Sequence, residues 1–557
     1  MRPLTSTERI FLRLERRGYP IDVVGITVFE PHEEGPVPFR VVYERMDQAL
    51  TLSPHLSRRL SQAPLGIGED HWIEAEDFDL DEHVHHVECP EPRDERALLD
   101  LMLDLCDEPL DRRRPLWVCW YVTGMSEGRS ALVLRGHHAL TDGLGFMNLY
   151  KHVFDADEHG TPPGEREDAD FAYLEETIGT YVGPQTQTTG ESEPPVALRA
   201  VYEVPERVAH TAVTTARIAR TIAGGVPSLV SGAAGTVARK VGDVLTTQED
   251  ASADGQPAAG THTDSGTHTD SGTHTDSGTR PAKTTLAAKT PRGTDAPAAR
   301  RSRMPKLPHF IPSPTNHPPV TRFQAHVTDT TKSFAVATVS MADIETARTC
   351  CPGATVNDVI LAMVTGALRR YLDGHGELPD EPLLTTCPVS VRKDSGSGGN
   401  EFTTIWVELP VHVADPLERL AIVHASAHRS KGGVHRSRRS WDVLADVGDL
   451  FLPGVVSAAM VFAGSKVFTK LPPTLNLSVS TLRGSAEPLY LAKRRAEHLY
   501  ARTIVCPPVH LFIHAITYAG HADLGVLSLR QLLPDPDTLA EGLKTELDLL
   551  LERAPAG

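Results

Sequence analysis

A block of repeats near the middle of this 557-residue chain most constrains its fold. Residues 261–278 are three identical copies of Thr-His-Thr-Asp-Ser-Gly, set among Gly, Pro, Ala, Thr and Asp. Such a stretch cannot bury enough apolar surface to offset the entropy lost on ordering, so we expect disorder over 247–311. The chain is therefore predicted to fold as two globular parts, at 1–190 and 312–557, joined by this linker and by a basic segment at 191–246.

The composition excludes several classes of function. The net charge of −18 and the pI near 5.8 argue against nucleic acid as a partner. Seven cysteines without regular spacing, and a start without a signal sequence, favour a reducing, cytoplasmic compartment. No uninterrupted apolar run reaches the roughly 18 to 20 residues that span a bilayer. We therefore expect a protein that touches a membrane at most and does not cross it.

Two basic stretches flank the repeats. Between Arg207 and Lys240 the charged residues are all positive, and they lie among apolar residues; between Arg280 and Lys306 eight basic residues accompany the single acid Asp295. A cationic amphipathic segment of this kind can lie on an anionic membrane or lipid surface. It can equally pack on its own domain and continue as a solvated tail, and the sequence leaves both alternatives open.

Each globular part alternates strand-like and helix-like segments. In the second part, apolar residues from Val356 to Leu372 recur at i, i+3 and i+4, which predicts a helix that faces the core. The remaining predicted elements are helices at 39–51, 95–106 and 144–154 and strands at 21–29, 117–122, 131–134, 383–391, 403–409, 475–480 and 509–518. This alternation predicts two similar α/β halves.

The segment from His137 to Gly143, with the pattern HHxxxDG, lies between a predicted strand and a predicted helix. A histidine at such a transition can take a proton from a hydroxyl near neutral pH, because the pKa of free imidazole lies close to 6.5. Asp142 and Gly143 suit a tight turn, where Asp bonds backbone amides and Gly tolerates positive φ. The pattern indicates a general base on a rigid platform, with a purely structural histidine pair as the alternative.

Three further motifs accompany this box. Pro115-Leu116-Trp117 opens the strand before the histidine strand, Asn357-Asp358 begins the amphipathic helix, and Gly399-Asn400 precedes another strand. An Asn at a helix start is also a common N-cap, so Asn357 has a structural alternative.

Other polar residues are weaker candidates. His83, His85 and His86 form an HxHH pattern, and strand alternation would place His83 and His85 on one face. No Cys or carboxylate at suitable spacing completes a metal site, so structural packing or solvent exposure is the favoured interpretation. The His and Asp residues of the repeats would hold a cation only weakly without a fixed backbone. We therefore predict no metal site. Glu15 is a separate and weaker candidate, and we expect it to be solvated, as a lone Glu on a surface helix usually is.

With these motifs in this order, the chain resembles the bacterial wax ester synthase/acyl-CoA:diacylglycerol acyltransferase family, in the superfamily that includes chloramphenicol acetyltransferase and peptide-synthetase condensation domains. The resemblance covers both globular parts and extends to Pro3-Leu4-Thr5, Pro388 to Arg392, Leu409-Pro410 and Pro488 to Ala492. It implies an α/β fold of two chloramphenicol-acetyltransferase-like domains, with mixed sheets flanked by helices and a substrate tunnel at their interface.

The resemblance also implies an activity. The chain would be an O-acyltransferase that moves a long-chain acyl group from acyl-CoA to diacylglycerol, or to a fatty alcohol, without a cofactor. It would work at the inner membrane or a lipid-droplet surface. His138 would be the general base, while His137, Asp142 and Gly143 would shape the loop, with Arg16 or Arg392 paired to Asp142.

The remaining motif residues take supporting roles in this scheme. Asn357 would donate to the oxyanion or support a loop together with Asp358. The segment Pro115 to Trp117, and Asn400, would contact substrate.

Two departures from the family pattern leave other functions open. Ser480-Thr481 stands where the family usually shows Ser-Asn, which puts a substrate or oxyanion contact at Thr481 in question. The usual Ser-Tyr-x-Gly near the end reads Thr517 to Gly520. The alternatives are a divergent acyltransferase on another lipid or polyketide hydroxyl, and a non-catalytic lipid-binding relative.

Overall fold

The structure, a computed structural model, describes residues 2–16, 18–62, 70–140, 149–150, 152–160, 317–390, 402–431 and 472–555. The predicted basic segment at 191–246 and the predicted linker at 247–311 lie outside these residues. Four residues named for the predicted site, Asp142, Gly143, Arg392 and Asn400, also lie outside them. The boundaries proposed at 190 and 312 fall in the same stretch, so the division into domains stays a prediction.

The described residues form helices and strands that alternate along the chain. The helices are α1 (Ser6–Leu14), α2 (Phe39–Leu52), α3 (Glu95–Leu105), α4 (Met341–Arg348), α5 (Val356–Gly374), α6 (Pro416–Lys431) and α7 (Pro536–Leu551). The strands are β1 (Arg2–Pro3), β2 (Asp22–Phe29), β3 (Arg58–Ser61), β4 (His71–Glu74), β5 (Val84–Glu88), β6 (Trp117–Thr123), β7 (Ser130–His137), β8 (Lys332–Ser340), β9 (Leu383–Ser390), β10 (Phe402–Leu409), β11 (Leu477–Arg483), β12 (Tyr490–Leu491), β13 (Arg494–Arg502), β14 (Leu511–Tyr518) and β15 (His521–Leu529).

The first sheet has six strands in the order β12-β13-β2-β7-β6-β5. Its neighbours are antiparallel except for β5 and β6, which run parallel. Every residue of β2 and of β7 is buried, because both faces of the sheet centre are covered. Two of its strands, β12 and β13, come from the far end of the chain, so residues from both predicted halves build this sheet.

Side chains that alternate along β7 enter two different apolar cores. Ala131 and Val133 pack in the core that contains α3, whereas Leu132 and Leu134 pack in the core that contains α2. This follows from the two-residue period of a strand, which sends successive side chains to opposite faces. The strand β7 ends at His137, so the histidine pair stands where a strand covered on both faces leaves the sheet.

The second sheet also has six strands, in the order β10-β9-β11-β14-β15-β8. Here β11 runs parallel to both of its neighbours, and the other pairs are antiparallel. Helix α5 packs against α6 and α7, which in turn contact β10 and β8. A small third sheet has the order β1-β4-β3.

The predicted α/β class, with mixed sheets flanked by helices, is confirmed. The strand predicted at 21–29 is β2, and the predicted helices at 39–51, 95–106 and from Val356 are α2, α3 and α5. The strands β8, β13 and β15 were not predicted. The substrate tunnel implied by the resemblance stays a prediction.

Candidate active site

The backbone of the histidine pair is fixed by the residues that immediately precede the two strands that flank β7. The amide of His137 donates to the carbonyl of Leu116 at 2.9 Å, and the amide of His138 donates to the carbonyl of Ile21 at 2.9 Å. In the register of β2 and β7, Asp22 stands opposite His137. The pair therefore sits at a defined position where a fully buried strand leaves the sheet.

The ring of His137 is turned inward. It is 1% exposed, its Nδ1 accepts from the amide of Ala139 at 2.9 Å, and its Nε2 lies 3.5 Å from Oε1 of Glu15. Since Nδ1 accepts a hydrogen bond, a neutral ring carries its proton on Nε2, the nitrogen that faces the carboxylate. His137 is thus held between its own loop and helix α1.

The side chain of Glu15, directly after α1, is 4% exposed rather than solvated, and the expectation from its position on a helix was wrong. Its Oε2 accepts from Nη2 of Arg112 at 3.0 Å, and its Oε1 accepts from the amide of Ile21 at 3.3 Å. Burial raises the pKa of Glu15, but hydrogen bonds and charges from His137 and Arg112 outweigh burial and lower the pKa below its usual value. Arg112, Glu15 and His137 thus form a continuous chain of polar contacts that ends at the histidine pair.

His138 has a different environment from its neighbour. The residue is half-buried, its Nδ1 is buried, and its ring stacks on the ring of Phe11 with centroids 4.3 Å apart and an interplanar angle of 28°. Phe11 lies on the same helix α1 that precedes Glu15. That His138 is the base and that His137 supports the loop stays a prediction. This prediction requires His138 to be less buried than His137, and the two environments differ in that way.

A buried ionic cluster lies beside the pair, with members on β2, β7 and β13. Asp22 accepts from Nε of Arg135 at 2.5 Å and from Nη1 of Arg502 at 2.7 Å. Burial raises the pKa of Asp22, and the two guanidinium groups outweigh that effect and lower the pKa below its usual value. Because Arg502 lies on β13, this cluster attaches the late strand to the early ones.

The arginine expected to pair with Asp142 cannot be assigned among the described residues. Asp142 and Arg392 both lie outside them. The guanidinium of Arg16 lies over the ring of Tyr19, 4.5 Å from its centroid.

The segment Pro115 to Trp117 is buried. Its described contacts are structural: the Leu116 carbonyl accepts from His137, and Nε1 of Trp117 donates to the carbonyl of Leu56 at 2.7 Å. It therefore holds the histidine strand in place, and its contact with substrate stays a prediction.

The HxHH histidines pack as predicted. The ring of His83 stacks between Phe78 and Trp117, at 5.1 and 4.7 Å, and His86 stacks on the ring of Tyr121 at 6.1 Å. His85 instead faces Trp120 on the other side of the sheet. The expectation that His83 and His85 share a face was wrong, because His83 ends a short 3-10 turn before β5 begins.

Asn357 lies in the first turn of α5 but does not cap it. The N-cap is Thr355, which forms a capping box with Asp358: each side chain accepts from the other's backbone amide. Asp358 also contacts Nδ1 of His424 at 2.9 Å. The N-cap alternative for Asn357 was therefore wrong, and its side chain is available for another contact.

That contact is with Thr481, the residue that departs from the family pattern. The hydroxyl of Thr481 on β11 donates to Oδ1 of Asn357 at 2.9 Å. Two residues that the sequence separates by more than a hundred positions thus meet in one hydrogen bond. The bond orients the Asn357 amide so that its NH₂ group points away from Thr481.

Comparison with known proteins bears on the activity. A model of the wax ester synthase/diacylglycerol acyltransferase catalytic domain matches residues 4–245, and a model of the C-terminal domain of the same family matches residues 398–551. The two matches together cover well over half of the chain. The chain belongs to this family. It is an O-acyltransferase of the wax ester synthase/diacylglycerol acyltransferase type.

Curated relatives match along almost the whole chain. The "Probable diacyglycerol O-acyltransferase tgs2" of Mycobacterium tuberculosis is 26% identical over 548 residues, which cover 98% of this chain and 97% of that protein. The "O-acyltransferase WSD" of Acinetobacter baylyi is 26% identical over 557 residues, 99% of this chain and 97% of that protein.

Solved structures share the fold. A wax ester synthase/diacylglycerol acyltransferase from Marinobacter aquaeolei VT8 superposes with a TM-score of 0.59 and 20% identity, covering 100% of both chains. The first condensation domain of the calcium-dependent antibiotic synthetase gives a TM-score of 0.50 and 13% identity, covering 100% of this chain and 97% of that one. Among the described residues, the helices are too short or too polar to cross a membrane.

Proposed function

We propose that this acyltransferase moves a long-chain acyl group from acyl-CoA to the free hydroxyl of diacylglycerol and so makes triacylglycerol, with fatty alcohols as a second class of acceptor. The observation that carries the assignment of its base is the contrast within the histidine pair. His137 is buried against Glu15, whereas His138 is half-buried, with its ring stacked on Phe11. One ring supports the loop, and the other can meet a substrate.

The chemistry needs one base and no covalent enzyme intermediate. A ring nitrogen of His138 takes the hydroxyl proton as the alcohol oxygen attacks the thioester carbonyl. The tetrahedral intermediate then collapses, its carbon–sulfur bond breaks, and the departing CoA thiolate takes the proton from His138. A positioned base of this kind contributes about 10²- to 10⁴-fold in rate. Acyl-CoA enters as a substrate, and the scheme uses no cofactor.

The oxyanion of the intermediate needs a hydrogen-bond donor that is already in place. We assign this role to the NH₂ group of Asn357, whose orientation is held by the Thr481 hydroxyl. Loss of one such donor typically costs roughly 3 to 4 kcal/mol in the transition state. Asp358 supports Asn357 indirectly, since it caps the same turn of α5.

The remaining residues position the base or the substrate. The chain of polar contacts from Arg112 through Glu15 to His137 holds the loop that carries His138. In this proposal Asp142 and Gly143 shape the rest of that loop. Substrate contacts by Asn400 and by the segment Pro115 to Trp117 are further parts of the proposal.

The substrates suggest where the enzyme works. Diacylglycerol and long-chain acyl groups reside in or at lipid, so we place the enzyme in the cytoplasm, peripheral to the inner membrane or to lipid droplets. The basic stretches at 207–240 and 280–306 supply positive charge suited to an anionic lipid surface.

An acyl-transfer assay with defined acceptors tests the function. Purified protein is incubated with radiolabelled palmitoyl-CoA and either diolein or hexadecanol, and lipid products are separated. Labelled dioleoyl-palmitoyl-glycerol with diolein supports the proposal, and labelled wax ester with hexadecanol supports the second class of acceptor. Transfer only to a different hydroxyl contradicts it in favour of a divergent acyltransferase. Absence of CoA release with every hydroxyl contradicts it in favour of a lipid-binding relative.

A further inference from the structure

Three side chains that the acyl-transfer scheme does not use meet where the two six-stranded sheets contact each other. His498 lies on β13 of the first sheet, and His521 and Asp523 lie on β15 of the second. One ligand atom from each lies within 4.8 Å of the other two. Nδ1 of His498 is 3.1 Å from Oδ1 of Asp523, and Nε2 of His521 is 3.3 Å from Oδ2.

The strands are built so that these side chains converge. His521 and Asp523 are two residues apart on β15, so they point to the same face. The register of β13 against β2 shifts between Ala496 and His498, which marks a β-bulge. Bulges re-aim a side chain away from the regular alternation, and this one lies immediately before His498.

Nδ1 of His498 and Oδ1 of Asp523 are within hydrogen-bond distance, and the spacing of the three side chains also fits a metal ion. A tetrahedral zinc ion with bonds of about 2.0 to 2.1 Å holds neighbouring ligand atoms about 3.3 to 3.4 Å apart. The two histidine–carboxylate separations, 3.1 Å to Oδ1 and 3.3 Å to Oδ2 of Asp523, are close to that distance, with one carboxylate oxygen facing each ring. Nε2 of His521 is buried and, despite its short approach to Asp523, makes no hydrogen bond within the described part of the chain.

Two further hydrogen-bond donors orient the carboxylate of Asp523. The hydroxyl of Thr338 donates to Oδ1 of Asp523 at 2.6 Å, and the amide of Leu499 donates to Oδ2 at 2.7 Å. Such second-layer contacts orient ligands in metal sites. The side chains of both histidines are 19% exposed, which places the cluster near the surface, whereas Asp523 is fully buried.

Further acidic groups lie around the cluster. Oε1 of Glu497 is 3.9 Å from Nε2 of His498, and the hydroxyl of Tyr500, which contacts Thr338, donates to Oε2 of Glu95 at 3.4 Å. A dication is electrostatically favoured among these carboxylates.

We propose that His498, His521 and Asp523 bind one divalent transition-metal ion, with Zn²⁺ as the best fit, and with water in the fourth position. Two imidazoles and one carboxylate are ligands that zinc accepts. The ion would join β13 to β15 and so fasten the two sheets to each other. Its role is structural and independent of acyl transfer.

Metal binding by the whole chain tests the proposal. Protein stripped with a chelator and then titrated with Zn²⁺ in a calorimeter is expected to take up one tightly bound ion per chain and to gain in Tm. His498→Gln and His521→Gln should each weaken this binding by about 100-fold or more. Thr338→Val should weaken it by about 10- to 100-fold, the usual effect of losing a second-layer contact.

Two controls separate this site from other histidines. His86→Gln, which removes an exposed strand histidine of the HxHH pattern, should leave the tight site unchanged. Deletion of residues 261–278 removes the histidines of the repeats and should also leave it unchanged. Absence of a tight ion in the wild-type chain, its loss on deletion of the repeats, or unaltered binding by the two glutamine variants would each overturn the proposal.

A second readout covers the case in which those variants fail to fold. Co²⁺ bound to the wild-type chain should give the intense visible absorption of a tetrahedral site, and Thr338→Val should weaken its uptake. Absorption typical of six oxygen ligands would count against the proposed ligand set.

Discussion

At the scale of single residues, Glu15 is the position with the most direct test. Glu15→Gln keeps the shape of the side chain but removes the charge that faces His137 and Arg112. A hydrogen bond to a charged group contributes about 1.5 to 3 kcal/mol, which corresponds to about 10- to 100-fold in rate. We expect kcat to fall by that factor while KM for palmitoyl-CoA stays within about twofold, measured as CoA release with diolein.

Two comparisons decide whether Glu15 acts through His137. Glu8→Gln changes a buried glutamate of the same helix that caps α1 and pairs with Arg2, so it should lower Tm and spare kcat. His137→Asn keeps an acceptor for the Ala139 amide and loses the approach to Glu15. The double variant should be no slower than the slower single variant, because the two residues act as one unit. Multiplicative losses would show that they act separately.

Thr481 gives a second prediction at this scale. Thr481→Val removes the hydroxyl that donates to Asn357, so the amide loses its orienting contact. A neutral hydrogen bond contributes about 0.5 to 1.5 kcal/mol, and we therefore expect kcat to fall about 2- to 10-fold. Thr481→Ser keeps the hydroxyl and should retain wild-type turnover. Equal rates for the valine and serine variants would remove Thr481 from the account.

Whether the sequence predicts the role of a site residue depends on how far along the chain its contact partners lie. The histidine pair and its place at a strand end follow from a local motif. Glu15 could not be assigned, because its burial depends on Arg112 and His137, about a hundred residues away in the chain. The same holds for the bond between Thr481 and Asn357: the sequence marks both residues as unusual but does not pair them.

At the scale of elements, the cluster of Asp22, Arg135 and Arg502 connects three strands. Asp22→Asn leaves two buried guanidinium groups without their carboxylate, and breaking a buried pair in this way costs about 3 to 5 kcal/mol. The free energy of unfolding in urea at pH 7 should fall by that amount. Asp100→Asn, which removes an exposed partner of Arg96 one turn away on α3, is the matched control and should change it by less than about 0.5 kcal/mol.

The same cluster predicts a dependence of stability on pH. The pKa of Asp22 is lower in the folded protein than its unfolded value of about 3.9. Its contribution is therefore complete above about pH 4 and is lost as the pH falls through the folded pKa. The free energy of unfolding should decrease below pH 4 in the wild type. It should decrease less steeply in Asp22→Asn, and parallel curves would contradict the assignment.

Helices and strands were predicted correctly where burial produces a regular apolar periodicity in the sequence. Helix α5 and strand β2 follow from apolar periodicity, and both occur close to the predicted bounds. Strand β13 was missed because Arg494, Glu497 and Arg502 interrupt any apolar alternation in its sequence. Arg494 and Arg502 are nevertheless buried, because acidic side chains and carbonyls from distant segments meet them. No local signal in the sequence carries that information.

At the scale of the whole molecule, β13 lies late in the sequence but pairs with the early strand β2. This pairing predicts which fragments of the chain are soluble when they are expressed alone. Strand β2 is buried along its length and lies between β7 and β13. A fragment of residues 1–316 lacks β13 and exposes an apolar strand edge, which favours aggregation. We expect this fragment to be insoluble alone and to become soluble when residues 317–557 are co-expressed, as judged by co-purification. A soluble, monomeric 1–316 fragment with cooperative unfolding would contradict this topology.

The sequence predicts two α/β halves, and the structure contains two six-stranded mixed sheets. The exchange of β12 and β13 into the first sheet could not be predicted, since strand order depends on contacts between segments several hundred residues apart. Motif order identified the family correctly, because it samples positions along both halves at once.

The most direct test of the central claim is the turnover of His138→Ala. The rate of CoA release from palmitoyl-CoA with diolein is measured for this variant and for the wild type, with Tm as a check on folding. We predict a fall in kcat of about 10²- to 10⁴-fold at a nearly unchanged Tm. A folded His138→Ala protein with near-normal turnover would contradict the account.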